Sequence, residues 1–146
     1  MPKRSSSKLL PYEKARTTGR WAEIIFRALS ARVANRWRFV SFRGPAQGES
    51  KGIVDVIAIR KDTSQPQLSS LKPGDLFEIV LVQMKGGSAR QPSTKERCRL
   101  RLVAKRYHAR DIVLFRWRKG VYSQFFTLGQ DHEWKPTTGT AVFGDD

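Results

Sequence analysis

The sequence predicts an α/β fold in which a central mixed sheet of about five strands is flanked by two helices. Three observations predict it. Two apolar runs, Gly52-Ile-Val-Asp-Val-Ile-Ala-Ile59 and Phe77-Glu-Ile-Val-Leu-Val-Gln-Met-Lys-Gly86, are short, rich in Val and Ile and bounded by turn formers. That is the signature of strands buried on both faces. Two longer stretches, one before these runs and one after, instead show helical periodicity. The second helical stretch stands between the third strand pattern and two later ones, so a helix returns the chain to the sheet after a three-stranded meander.

Residues 1–18 are polar, with Lys3, Arg4, Lys8, Lys14 and Arg16 against Glu13, and read as a flexible basic arm. The arm either lies along a phosphate backbone or keeps the chain soluble. Thr18 or Gly19 then caps a helix reaching to about Asn35, with Trp21, Ile24, Ile25, Ala28 and Leu29 as its core stripe. Glu23 lies off that stripe, where it can pair with Arg27 or favour the helix N-terminus. Trp37 to Phe42 alternates and reads as a strand, and a loop from Arg43 to Lys51 leads to the Asp55 strand. Lys61 to Lys72 is a polar hairpin loop, closed by a Pro73-Gly74 turn. The Gln83/Lys85 strand follows and leaves through Gly86-Gly87. Thr94 caps a second helix of about fifteen residues with Glu96 in its first turn. Its apolar stripe is Leu100, Val103, Ala104 and Tyr107, and Lys95, Arg97, Arg99, Arg101, Lys105 and Arg106 fill the rest. Asp111 to Trp117 and Tyr122 to Leu128 are the last strands. From Gly129 the chain carries Asp131, Glu133, Asp145 and Asp146 against Lys135, and this tail frays unless Trp134 and Phe143 dock. The chain thus divides into a basic arm (1–18), a core domain (19–128) and an acidic C-terminal tail (129–146).

At 146 residues the chain suffices for one domain with a real core, and 39% of it is hydrophobic. The net charge of +15 calls for a polyanionic partner, nucleic acid first and an anionic membrane surface second. A single cysteine, Cys98, excludes an internal disulfide and suits a reducing, cytoplasmic compartment. With His108 and His132 as the only histidines, a thiolate or imidazole zinc site is not supported. No apolar run reaches the roughly 18 residues of a membrane span. The N-terminus lacks a signal-peptide core, although its basic, serine-containing start is compatible with a transit peptide.

The two central strands carry charge where strands buried on both faces should not. Asp55 interrupts the first, and Gln83 and Lys85, two residues apart, point the same way from the end of the second. Buried charges cost several kcal/mol unless paired or bound to a metal. Asp55 and Lys85 therefore either form a structural ion pair or serve a reaction.

With these residues in place, the chain resembles the PD-(D/E)xK nuclease superfamily over roughly residues 19–128. Its nearest likenesses are to archaeal-type Holliday junction resolvases and Mrr-type restriction nucleases. The resemblance implies a restriction-endonuclease-like core with the order α-β-β-β-α-β-β. It also implies that Asp55, Gln83 and Lys85 carry the chemistry, joined by Glu23 from the first helix. Val54 stands where the signature has Pro, and Gln83 where an acid is usual; Mrr-type nucleases are similar in having Gln-x-Lys. The implied cofactor is Mg²⁺, with Mn²⁺ able to substitute, held by Asp55, Gln83, the Met84 carbonyl and Glu23. Mg²⁺ takes hard oxygen ligands, lowers the pKa of water and polarises a phosphoryl oxygen, while Lys85 orients the water or stabilises the transition state.

Arg43, Lys51, Arg90, Lys95 and Arg97 flank the expected site and are suited to phosphate contacts that position DNA without reading sequence. Trp37, Tyr107 and Trp117 read as core or strand residues rather than base-stacking platforms. The sequence thus points to a Mg²⁺-dependent endonuclease associated with DNA, branched DNA included, and compatible with a homodimer. A non-catalytic nucleic-acid-binding protein on the same fold, and a basic scaffold with an Asp55–Lys85 pair, are the alternatives.

Overall fold

The computed structural model describes residues 26, 36–42, 52–86, 91–118 and 121–144. The elements in chain order are β1 (Arg38–Ser41), β2 (Val56–Asp62), β3 (Leu76–Gly86), α1 (Thr94–Tyr107), β4 (Asp111–Arg118), β5 (Val121–Leu128), β6 (Trp134–Thr137) and α2 (Gly139–Phe143). The strands form one six-stranded sheet in the order β1-β2-β3-β4-β5-β6. β1, β2 and β3 are antiparallel neighbours, β3 and β4 are parallel, and β4, β5 and β6 are again antiparallel. A parallel pair needs a long crossover, and α1 supplies it. The fold is thus the mixed α/β sheet that the sequence predicts, with one strand more.

β3 is one of the two central strands, and its side chains alternate between two apolar layers. Val80, Val82 and Met84 enter one layer with Phe26, Trp37, Phe115, Phe125 and Phe143; Leu81 enters the other with Leu100, Ala104, Ile112 and Leu128. Residues 80–84 are all buried, as expected for a strand covered on both faces. Phe26, a residue outside the predicted stripe of the first helix, is helical and fully buried. The other residues of that predicted helix, Glu23 among them, lie outside the described residues.

Several boundaries differ from expectation. β2 begins at Val56, after Gly52 at φ 87°, so Asp55 sits just ahead of the strand rather than in its middle, and the strand runs on to Asp62. The hairpin loop closes through Gly74 at φ 90°, a conformation glycine adopts at no steric cost. The cap of α1 is Ser93, not Thr94. Its hydroxyl accepts from the Glu96 N–H while the Glu96 carboxylate accepts from the Ser93 N–H, a complete capping box. Leu100 and Ala104 are the buried seam of α1, whereas Tyr107, the last helical residue and past that seam, is 61% exposed.

The C-terminal segment docks. Trp134 starts β6, paired with Leu128, and Val142 and Phe143 of α2 are buried. The Trp37 indole N–H donates to the Phe143 carbonyl at 3.1 Å, and the Arg110 guanidinium donates to the Val142 carbonyl. Arg60 and Arg110 lie against the Trp37 ring, 4.5 and 5.0 Å from its centroid, and Glu78 pairs with both at 2.5 and 3.6 Å. Among the described residues no helix is long and apolar enough to cross a membrane.

Because Phe143 is fully buried among Phe26, Trp37 and Phe39, Phe143→Ala should cost about 3–5 kcal/mol in urea unfolding. A cost within about 0.5 kcal/mol, the range of surface substitutions, would show that the segment adds nothing to the core.

Candidate active site

The site lies at the carboxyl end of β3, where the chain leaves the sheet for α1. Ligands of open α/β sheets gather beyond the carboxyl ends of such strands. Just ahead of the Val56–Val82 pair, the Asp55 N–H also donates to the Val82 carbonyl at 3.0 Å, and the Asp55 carbonyl accepts from the Phe42 N–H at 3.0 Å. The Asp55 carboxylate then accepts from the Met84 N–H at 2.8 Å, so side chain and backbone together fix its position.

Gln83 is 5% exposed, the polar residue among the buried Val80, Leu81, Val82 and Met84 of β3. Its amide N–H₂ faces the Glu96 carboxylate at 3.5 Å, a long contact, and its Oε1 is buried with no hydrogen-bond partner among the described residues. Lys85, two residues on, pairs with the same Glu96 oxygen at 3.9 Å. Of the predicted residues the structure therefore gathers Asp55, Gln83, Met84 and Lys85. Glu23, Arg43, Lys51 and Arg90 lie outside the described residues. Lys95 projects from the first turn of α1 into solvent. Arg97 is engaged elsewhere: it donates to the His132 carbonyl and Thr94 Oγ1 at 3.0 Å each and pairs with Glu133 at 3.6 Å.

Glu96 is the site residue that sequence reasoning did not select. The Ser93-x-x-Glu96 spacing signals a capping box and so a helix start. It does not signal that the same carboxylate reaches β3. Burial by itself would raise the pKa of Glu96. The Ser93 N–H, the Lys85 charge, the Gln83 amide and the Ser93 hydroxyl outweigh it and hold the group below the ordinary carboxylate range. A depressed pKa means that the Glu96 contacts are complete at neutral pH and are lost as pH falls through that lowered value.

The donor set is suited to a hard divalent cation. Mg²⁺ prefers oxygen ligands and retains several waters, so it needs few protein groups. Asp55 offers a carboxylate, Gln83 an amide oxygen without a donor among the described residues, and Glu96 a second carboxylate from the helix. A buried carbonyl left without a partner costs about 1–3 kcal/mol, which a cation would offset. Among the described residues no three His, Cys, Asp or Glu side chains cluster as a metal site. The candidate donors are the Asp55 and Glu96 carboxylates and the Gln83 amide oxygen.

No family model and no curated protein matches the chain. Among solved structures, the chain is similar to Hjc, a Holliday junction resolvase from the archaeal hyperthermophile Archaeoglobus fulgidus. The match has 13% identity and a TM-score of 0.40 and covers 87% of this chain and 90% of that one. The functional reading of the site rests on its own residues.

Proposed function

We propose that the chain is a metal-dependent nuclease hydrolysing DNA phosphodiester bonds, with Asp55, Gln83, Lys85 and Glu96 at its centre. Mg²⁺ is the proposed ion, and Mn²⁺ can replace it. The observation that carries this reading is the buried Gln83 amide. Its Oε1 lacks a donor among the described residues, in a site that also holds Asp55, Glu96 and Lys85. A buried amide oxygen without a donor calls for a partner, and a bound cation would be one.

Hydrolysis adds a water oxygen to phosphorus and breaks the bond to a sugar oxygen, which leaves with a proton. A bound divalent cation would supply the charge that acidifies the water and polarises the phosphoryl oxygen. Asp55, fixed by the Met84 N–H, presents the charged ligand. Gln83 Oε1 and the Met84 carbonyl present neutral ones, and Glu96 adds charge that the amide lacks. Lys85, oriented by Glu96, meets the negative charge that grows on the phosphate in the transition state. Glu23 is a further proposed ligand, and Arg43, Lys51, Arg90 and Lys95 are proposed phosphate contacts. A homodimer would bring two such centres to the two strands of a duplex or a branched substrate. The competing reading, a non-catalytic nucleic-acid-binding protein on this fold, is favoured by Gln83 itself, since an amide leaves a metal one charge short.

Asp55→Ala and Lys85→Ala should each lower Mg²⁺-dependent cleavage by at least about 100-fold while DNA binding survives. The assay compares duplex, single-stranded and four-way-junction DNA. A folded Asp55→Ala protein with full activity would falsify the assignment to this site.

Gln83→Glu restores a charge and should lower the Mg²⁺ concentration needed for half-maximal cleavage without loss of rate. A purely structural Gln83 predicts a different outcome: no cleavage, and a loss of several kcal/mol from an added buried carboxylate.

A further inference from the structure

The outer face of α1 carries a charge pattern that folding does not require. Lys95, Arg99, Leu102 and Arg106 are all exposed and recur at i, i+4, i+7 and i+11. At 3.6 residues per turn they share an arc of about 60°, opposite the buried Leu100 and Ala104. Lys105 lies beside them, also exposed. Among the described residues no acid pairs with any of these four cations: Glu96, the one acid of α1, turns to Lys85, and Glu133 takes Arg97. The arrangement works against the helix. Lys95 stands at the positive end of the helix dipole, and Lys95 and Arg99 repel at i, i+4. A face kept only for solubility would interleave acids and bases.

We propose that this ridge is a rail for the phosphate backbone of duplex nucleic acid, running from the far end of α1 to the site at its first turn. The inference deepens the nuclease reading and rests on it for what the rail leads to. Lys95 adjoins Glu96, so the rail begins where the site does. From Lys95 to Arg106 it spans about 16 Å of helix axis. A DNA strand places one phosphate per about 3.4 Å of its own axis, so three cations over that length meet phosphates without bending the duplex. Leu102, 68% exposed in the middle of the ridge, adds bulk and no competing charge.

The test is the salt dependence of duplex DNA affinity, measured on the full chain without divalent cations so that cleavage plays no part. R99Q/R106Q is compared with K61Q/K72Q, which removes the same charge from exposed positions at β2 and its loop. Thermal unfolding midpoints at or above wild type show that both variants fold. The rail predicts that the slope of log affinity against log salt flattens by about 2 in R99Q/R106Q, about 0.9 for each lost phosphate contact, and is unchanged in K61Q/K72Q. Equal flattening in both, or none in R99Q/R106Q, overturns the rail. DNA cleavage by the wild type together with an unchanged R99Q/R106Q slope defeats the rail alone. A flattened slope without cleavage under Mg²⁺ or Mn²⁺ defeats the nuclease reading and leaves the rail.

Discussion

Strand β3 is covered on both faces from Val80 to Met84, and this burial sets the terms for everything at its carboxyl end. A polar side chain placed there has no bulk water to satisfy it and takes what neighbouring elements bring. β2 brings Asp55, whose carboxylate accepts the Met84 N–H. α1 brings Glu96, which meets both the Gln83 amide and the Lys85 ammonium. The same Glu96 closes the capping box that starts α1, so the position of the helix and the charge of the site depend on one carboxylate. Removing it would unsettle the helix start and leave Lys85 without its partner together.

The sheet's centre was legible because its signals are local and redundant. Apolar runs of Val and Ile mark β2 and β3, and the helical period between two strand patterns implies the parallel β3–β4 crossover that is observed. Asp55, Gln83 and Lys85 stood out as polar residues in apolar runs. The elements that escaped notice lack such signals. β6 is four residues long and contains Pro136, which is tolerated because β6 is an edge strand. Four residues are too few to show alternation. Phe26 is buried although it lies off the stripe read from its own stretch, because Phe115, Phe125 and Phe143 close around it. Glu96 was visible as a capping residue, but its reach to β3 depends on how α1 seats on the sheet, which is a tertiary fact.

The charge of the chain is organised rather than spread. At the amino end of β3, Glu78 pairs with Arg60 and Arg110, both of which lie against the Trp37 ring, and Arg110 anchors the C-terminal segment. On the inner side of α1, Arg97 and Arg101 donate to the His132 and Leu128 carbonyls and fasten the β5–β6 turn. Those cations are spent on the fold. Among the described residues, Lys95, Arg99, Lys105 and Arg106 on the outer side of α1 are exposed and open to a polyanion, next to a cluster whose carboxylates and amide suit a hard cation.

The central claim is that Asp55, Gln83 and Glu96 together hold a divalent cation. Titration of Mn²⁺ followed by electron paramagnetic resonance tests it directly, because the free and bound ions give distinct spectra. The account predicts saturable binding of Mn²⁺ to the wild-type chain, competed by Mg²⁺, weakened in Glu96→Gln and lost in Asp55→Asn. No binding by the wild type, or binding that Asp55→Asn leaves intact, would contradict it.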